Sequence, residues 1–297
     1  MTTAPRTPTP VLQGEERRME VPGATLAARA WGAPTGRPFL ALHGWLDNAN
    51  TFNRLAPLLP ELQLVALDFA GHGYSDHRPP GAHYFPLLDV QDVIAAADAL
   101  GWTEFGIVGH SMGAGIASEA AGLFPERVRE AVLIDGMVHH EGGPADGNAR
   151  NRLAIEQMLA AHGKRPPVYP DVEAMARRVT EATDQSFEAA IELVARGHEE
   201  VEGGVTWRTD PRIRFATPAQ ATARQIDALM AATEARTLLL IARDGDRWYR
   251  SGVERRAEHH RFLTVEEMDG PHHVHLEPAW HEEVARRVRS FLGLAGA

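Results

Sequence analysis

The chain has 297 residues, is 44% hydrophobic and carries a formal net charge of −10, with Lys164 as its one lysine. That length and apolar content suffice for one sizeable domain plus an insertion, while the acidic balance offers no general attraction to phosphate backbones or anionic lipid, so neither nucleic acid nor a membrane surface is an expected partner. No apolar run approaches the ~20 residues of a spanning helix, and the lack of cysteine removes disulfides, thiolate zinc sites and a cysteine nucleophile together.

Residues 1–14 begin Met-Thr-Thr-Ala-Pro-Arg-Thr-Pro-Thr-Pro, without the apolar segment of a signal peptide, and are expected to be a disordered tail of a cytoplasmic protein. Arg17 to Val21 and Ala24 to Trp31 flank Pro22-Gly23 and predict a hairpin. The apolar run Pro38 to Leu42 ends in His43-Gly44-Trp45, Thr51 to Leu59 has the pattern of an amphipathic helix, and Leu62 to Leu67 is a buried strand closing in Asp68 through Ser75. A helical spacing spans residues 86–100, Phe105 to Val108 is a strand followed by a small-residue helix from Ala114 to Leu123, and Ala131 to Ile134 is the next strand. This alternation of buried strand and helix predicts an α/β fold with a mostly parallel central sheet covered on both faces.

The rhythm breaks between 137 and 234. Helical patches at 151–161, 172–183, 186–195 and 217–232, with an extended piece from Val205 to Phe215, predict an inserted, mainly helical cap between core segments 15–136 and 235–297. Alternation resumes with a strand at 237–241, a helix near 251–259, the strand Phe262 to Val265 and a final helix from Pro278 to Leu292.

The chemistry centres on Gly109-His110-Ser111-Met112-Gly113, a G-x-S-x-G pattern between a strand and a helix. A serine on such a turn adopts a strained backbone, and both flanks must be glycine-sized to clear the neighbouring strand and helix. A serine hydroxyl needs a base, normally a histidine held in one tautomer by a carboxylate. The loop Asp269 to Pro278 follows the last predicted strand and carries His272, the expected base, with His273 and His275 as structural or lid-contacting neighbours. Imidazoles also bind zinc, but the nearest partners, His139-His140-Glu141, suit a solvated loop, so neither metal nor cofactor is expected. Two donors must face the developing oxyanion; the amides of Met112 and Trp45 are the candidates.

His43-Gly44-Trp45, Asp68 with Gly71-His72-Gly73-Tyr74-Ser75, the Ser111 turn and His272 with His275-Leu276-Glu277-Pro278 together resemble the α/β-hydrolase fold superfamily. Leu42 to Asn50 and Thr206 to Arg212 are similar to the serine hydrolase-like group within it. The resemblance implies a Ser-His-Asp triad acting on a small ester or related acyl substrate, with carbon–carbon bond or lactone hydrolysis and non-catalytic ligand binding as alternatives. The family's usual acid turn is G-x-x-D after the strand at 237–241. Here Arg243-Asp244-Gly245-Asp246 departs from it by lacking the glycine, and Asp246 is the expected acid, with Asp135 and Asp244 as alternatives. A serine nucleophile also argues against the dehalogenase and epoxide hydrolase chemistries that use aspartate in this fold.

Overall fold

A computed structural model of the chain describes residues 14–138, 144–160, 166–218, 220–245 and 250–294. The predicted hairpin is present: β1 (Glu15–Val21) pairs antiparallel with β2 (Ala24–Trp31), and Gly23 supplies the positive φ of 87° that the tight turn requires. After β3 (Arg37–Leu42) and β4 (Leu62–Leu67) come α1 (Pro86–Ala99), β5 (Phe105–His110), α2 (Met112–Leu123) and β6 (Val128–Ile134). The segment following β6, expected as an insertion and called so below, contributes α3 (Pro144–Leu159), α4 (Val172–Ala182), α5 (Phe187–Gly197), the hairpin β7 (His198–Val201) with β8 (Gly204–Trp207), and α6 (Ala223–Ala232). β9 (Arg236–Ala242), α7 (Val253–His259), β10 (Leu263–Met268) and α8 (His281–Leu292) complete the chain.

Eight strands form one sheet in the order β1-β2-β4-β3-β5-β6-β9-β10, parallel from β4 to β10. Helices cover both faces, so the central strands are apolar throughout and their side chains alternate between two cores. Leu40, Leu42, Ile107 and Leu239 join Val93, Ile116 and Ile226 on one face. Phe39, Ala41, Val108 and Leu238 join Phe52, Leu55, Val284 and Val288 on the other. β3 pairs with both β4 and β5, so the winding direction reverses there. The carboxyl ends of strands at such a reversal open a crevice in which α/β folds bind ligands.

The segment expected as a helix at 51–59 instead forms two short 3-10 helices, Ala49–Phe52 and Ala56–Leu58. Pro57 sits in the second, where its ring and missing N–H oppose a continuous helix, and the side chains of Asn50 and Asn53 both accept hydrogen bonds from Arg29. β7 was not legible either, because His198-Glu199-Glu200-Val201 lacks apolar alternation. Helix α6, within the stretch expected as cap, packs Ile226 and Met230 into the main core.

Buried charge fastens the insertion to the sheet. Arg196 of α5 donates from Nε to both oxygens of Asp68 at 3.0 and 2.8 Å and from Nη1 to Glu16 at 2.7 Å. Asp210, which accepts three side-chain bonds from Arg212 and one from Tyr84, receives a further anchor through its own N–H, which donates to Gly71 O. Among the described residues, no helix is long and apolar enough to cross a membrane.

Candidate active site

Ser111 stands between β5 and α2 with φ 52° and ψ −114°. Its N–H donates to Ile134 O at 3.0 Å, and its carbonyl accepts from Ala114 and Gly115. Three glycines around this turn leave no room for a side chain. A Cβ on Gly109 would lie 2.4 Å from Gly113 O, one on Gly113 2.1 Å from Leu42 O, and one on Gly136 2.4 Å from Ser111 O. The glycine requirement read from the motif is thus a requirement for backbone-to-backbone approach. Among the described residues, three non-glycine positions have positive φ: Leu46, Ser111 and Asp135. Each such position costs on the order of 1–3 kcal/mol and persists only where its surroundings over-determine it. All three lie at strand ends around this crevice.

Asp135 follows β6 and is fully buried. Its N–H donates to Leu240 O at 2.8 Å, Oδ1 accepts the Ala242 N–H at 3.0 Å, and Oδ2 lies 2.6 Å from His272 Nδ1. A carboxylate at Nδ1 fixes the proton there and makes Nε2 the basic nitrogen. Gly245 makes room for this carboxylate, since a Cβ on it would fall 2.2 Å from Asp135 Oδ2. Among the described residues, the carboxylate at His272 Nδ1 is that of Asp135, one of the two alternatives. Asp246 lies outside the described residues, and Asp244 is exposed, its N–H donating to Gly270 O.

Ser111, Met112, Trp45 and His272 line one cavity of about 620 Å³. Gly44 to Asp47 form a turn in which the Asp47 N–H donates to Gly44 O at 3.2 Å and Leu46 takes φ 65°, the geometry of a type II turn without the usual glycine. Met112 opens α2, where helical N–H groups lack intrahelical acceptors. Neither the Trp45 nor the Met112 amide has a hydrogen-bond acceptor among the described residues. His43 pins the turn: it is fully buried, its Nδ1–H donates to Gly44 O at 2.7 Å and its Nε2 accepts the Phe69 N–H at 3.0 Å. Burial pushes His43 below the ordinary imidazole range, which keeps it neutral and matches that tautomer.

Sequence reading missed a second layer beneath His272. His110, fully buried, donates from Nε2 to the His272 carbonyl at 3.0 Å. Burial pushes His110 down to about 3, so it is neutral. His273 Nε2 lies 3.1 Å from Asp47 Oδ2, and His275 Nε2 2.8 Å from Thr51 Oγ1. Nothing but its place inside the motif marks His110 in the sequence. His139-His140-Glu141 lies outside the described residues.

The insertion forms the other wall. Tyr169 and Trp207 line an adjoining cavity of about 950 Å³ that shares Trp45, Asp47 and His273 with the first. Asp184 accepts the His272 N–H at 3.1 Å, and the Ser186 N–H donates to Glu277 at 2.8 Å, which ties the insertion to the histidine loop. Glu119, on the α2 face that lines the first cavity, is pushed up to about 7 by burial.

Comparison with known proteins gives a consistent picture. The family model for the alpha/beta hydrolase fold matches residues 37–200. The chain is similar to a serine hydrolase-like protein of Danio rerio, 36% identical over 93% of this chain and 88% of that protein. It is also similar to serine hydrolase-like protein 2 of Homo sapiens, 35% identical over 68% of this chain and 66% of the relative. A solved structure of a hypothetical protein from Pseudomonas aeruginosa superposes with a TM-score of 0.88 at 40% identity, covering 94% of this chain and 99% of that one.

Proposed function

The chain belongs to the α/β-hydrolase fold family, and on that premise we propose that it is a serine hydrolase cleaving a small ester or related acyl substrate. The observation that carries this reading is the one cavity lined by both a strained Ser111 and His272, the latter held at Nδ1 by the buried Asp135. The printed names of the relatives support the reaction class.

In the proposed reaction His272 Nε2 removes the Ser111 proton as Oγ attacks the acyl carbon, and Asp135 stabilises the imidazolium that forms. The Trp45 and Met112 amides bind the oxyanion of the tetrahedral intermediate, helped by the positive end of α2. His272 then passes its proton to the leaving alcohol, and water, activated by the same imidazole, hydrolyses the acyl-enzyme. The insertion, through Tyr169, Trp207 and their neighbours, limits the length of acyl chain admitted.

The test uses p-nitrophenyl esters of increasing chain length together with a fluorophosphonate probe. Short acyl chains should be cleaved fastest and the probe should label Ser111, while Ser111→Ala should fold normally and retain no more than the residual ~10³–10⁴ advantage over water that binding and oxyanion hole provide. A wild-type protein that neither reacts with the probe nor turns over any ester of the series would reduce the site to a binding pocket.

A further inference from the structure

Three side chains beneath the histidine loop are arranged as a set of metal ligands. Asp47 Oδ2, His110 Nδ1 and His273 Nε2 lie within 4.8 Å of one another, with Asp47 Oδ2 3.5 Å from the first imidazole nitrogen and 3.1 Å from the second. Ligand atoms about 2.0–2.1 Å from a tetrahedral zinc ion stand roughly 3.3–3.4 Å apart. Two of the three edges already match that spacing.

The tautomers carry the argument further. His110 Nε2 faces the His272 carbonyl and must be the protonated nitrogen, so the lone pair of neutral His110 lies on Nδ1. That nitrogen is buried, has no hydrogen-bond partner among the described residues, and faces a carboxylate oxygen. Two acceptors facing each other in a buried site want a cation between them. Metal-binding histidines characteristically donate their second N–H to a backbone carbonyl, which fixes the ligating tautomer, and His110 already does so. His273 Nδ1 is likewise buried and unbonded among the described residues, so ligation through Nε2 only requires its ring proton to move to Nδ1. Gly44 leaves space on this side, since a Cβ there would lie 2.8 Å from Asp47 Oδ2 and 2.9 Å from His110 Nδ1.

We propose that Asp47, His110 and His273 form a binding site for a first-row divalent transition-metal ion, with an open coordination position towards the cavity above Ser111, and that its occupation inhibits hydrolysis. Asp47 and His273 line both cavities and His110 the one containing Ser111, which gives the open position an outlet. Two neutral imidazoles and one carboxylate suit zinc, nickel or copper better than calcium or magnesium, which prefer oxygen donors. Inhibition follows from charge: a dication held by His110 and His273, whose rings lie with centroids 4.6 and 5.2 Å from that of His272, disfavours the imidazolium on which ester cleavage depends.

The experiment uses tag-free, full-length protein stripped with EDTA. Calorimetric titration with Zn²⁺ should give one ion per chain, Mg²⁺ should give none at matched concentration, and Co²⁺ should develop the intense visible absorption of a four-coordinate site. Asp47→Asn and His273→Gln, each checked for folding by circular dichroism, should weaken Zn²⁺ binding at least tenfold, whereas His139→Ala with His140→Ala should not. Zn²⁺ should slow ester hydrolysis by the wild type roughly tenfold, with little further effect on His273→Gln relative to its own metal-free rate. Absence of saturable Zn²⁺ binding, a six-coordinate Co²⁺ spectrum, or binding unchanged in both ligand variants overturns the site. Binding without slowed hydrolysis overturns its inhibitory role. The titration and the spectrum need no turnover, so they stand apart from the proposed esterase reaction.

Discussion

Around Ser111 the chain is held by backbone contacts too close for any added carbon atom, whereas the insertion is held to the sheet by buried charge. The floor of the pocket is a matter of shape: Gly109, Gly113 and Gly136 let strand, helix and turn meet, and Leu46, Ser111 and Asp135 are trapped at positive φ. The wall is a matter of electrostatics: Arg196 sits on Asp68 and Glu16, and Arg212, steadied by Asp210 beside it, donates to the carbonyls of Arg78 and Pro79 in the core. Shape fails by addition and charge by subtraction, because a packed backbone cannot yield to a methyl group and a buried ion cannot lose its partner without a desolvation cost. Each half of the pocket therefore has its own most sensitive mutation.

The largest expected effect falls on the carboxylate that meets His272. Asp135→Asn keeps the shape but presents the wrong partner to His272 Nδ1, and kcat on a short ester should fall on the order of 10⁴-fold with stability little changed. Asp246→Asn, assayed in parallel, should cost far less; the reverse ranking would return the acid to the turn after β9. Next comes subtraction at the wall. Arg196→Met leaves Asp68 buried without its cation and should destabilise the protein by about 3–5 kcal/mol in denaturant titration. A loss below about 1 kcal/mol would mean that the pair holds nothing in place.

Addition at the floor should be milder for the fold and harsher for the chemistry. Gly245→Ala drives a Cβ onto Asp135 Oδ2 and should lower kcat about 100-fold while thermal stability falls by only a few degrees. If kcat held while stability collapsed, the glycine would serve packing alone. The smallest effect is a pH dependence. Glu119, pushed up to about 7, is neutral in the folded state where the unfolded chain has already ionised, so its burial opposes folding increasingly from about pH 4.5 up to 7. Glu119→Gln should accordingly raise Tm at pH 8 by a few degrees and leave it unchanged near pH 4.5. A gain independent of pH would point to packing instead of ionisation.

These contrasts also explain what was legible beforehand. Buried parallel strands are written as apolar runs, so the sheet, its hairpin and the long helices could be read directly, and Ser111 and His272 stood out because strand, turn and loop order frame them. Asp135 was harder to read. Its contact with His272 depends on which strand end comes nearest the imidazole, a distance along the sheet that no local pattern encodes. The one available signal was Gly245, whose missing side chain leaves space for a carboxylate from another strand. The helix expected at 51–59 failed because Pro57 and the polar work of Asn50 and Asn53 override its amphipathic spacing. His110 stayed hidden because its two contacts, the His272 carbonyl and Asp47, lie 162 and 63 residues away in the chain.

Ser111 and Asp135 stand at the ends of adjacent parallel strands, their spacing set by the sheet, but His272 reaches them from a loop that leans on the insertion through Asp184 and, five residues on, through Glu277 and Ser186. Two residues of the proposed triad are thus bolted to the chassis and the third rides on a linkage. Whatever seats itself against the insertion pushes on that linkage, so under the proposed reaction the pocket wall would do more than measure acyl length: it would stand mechanically in series with the proton transfer.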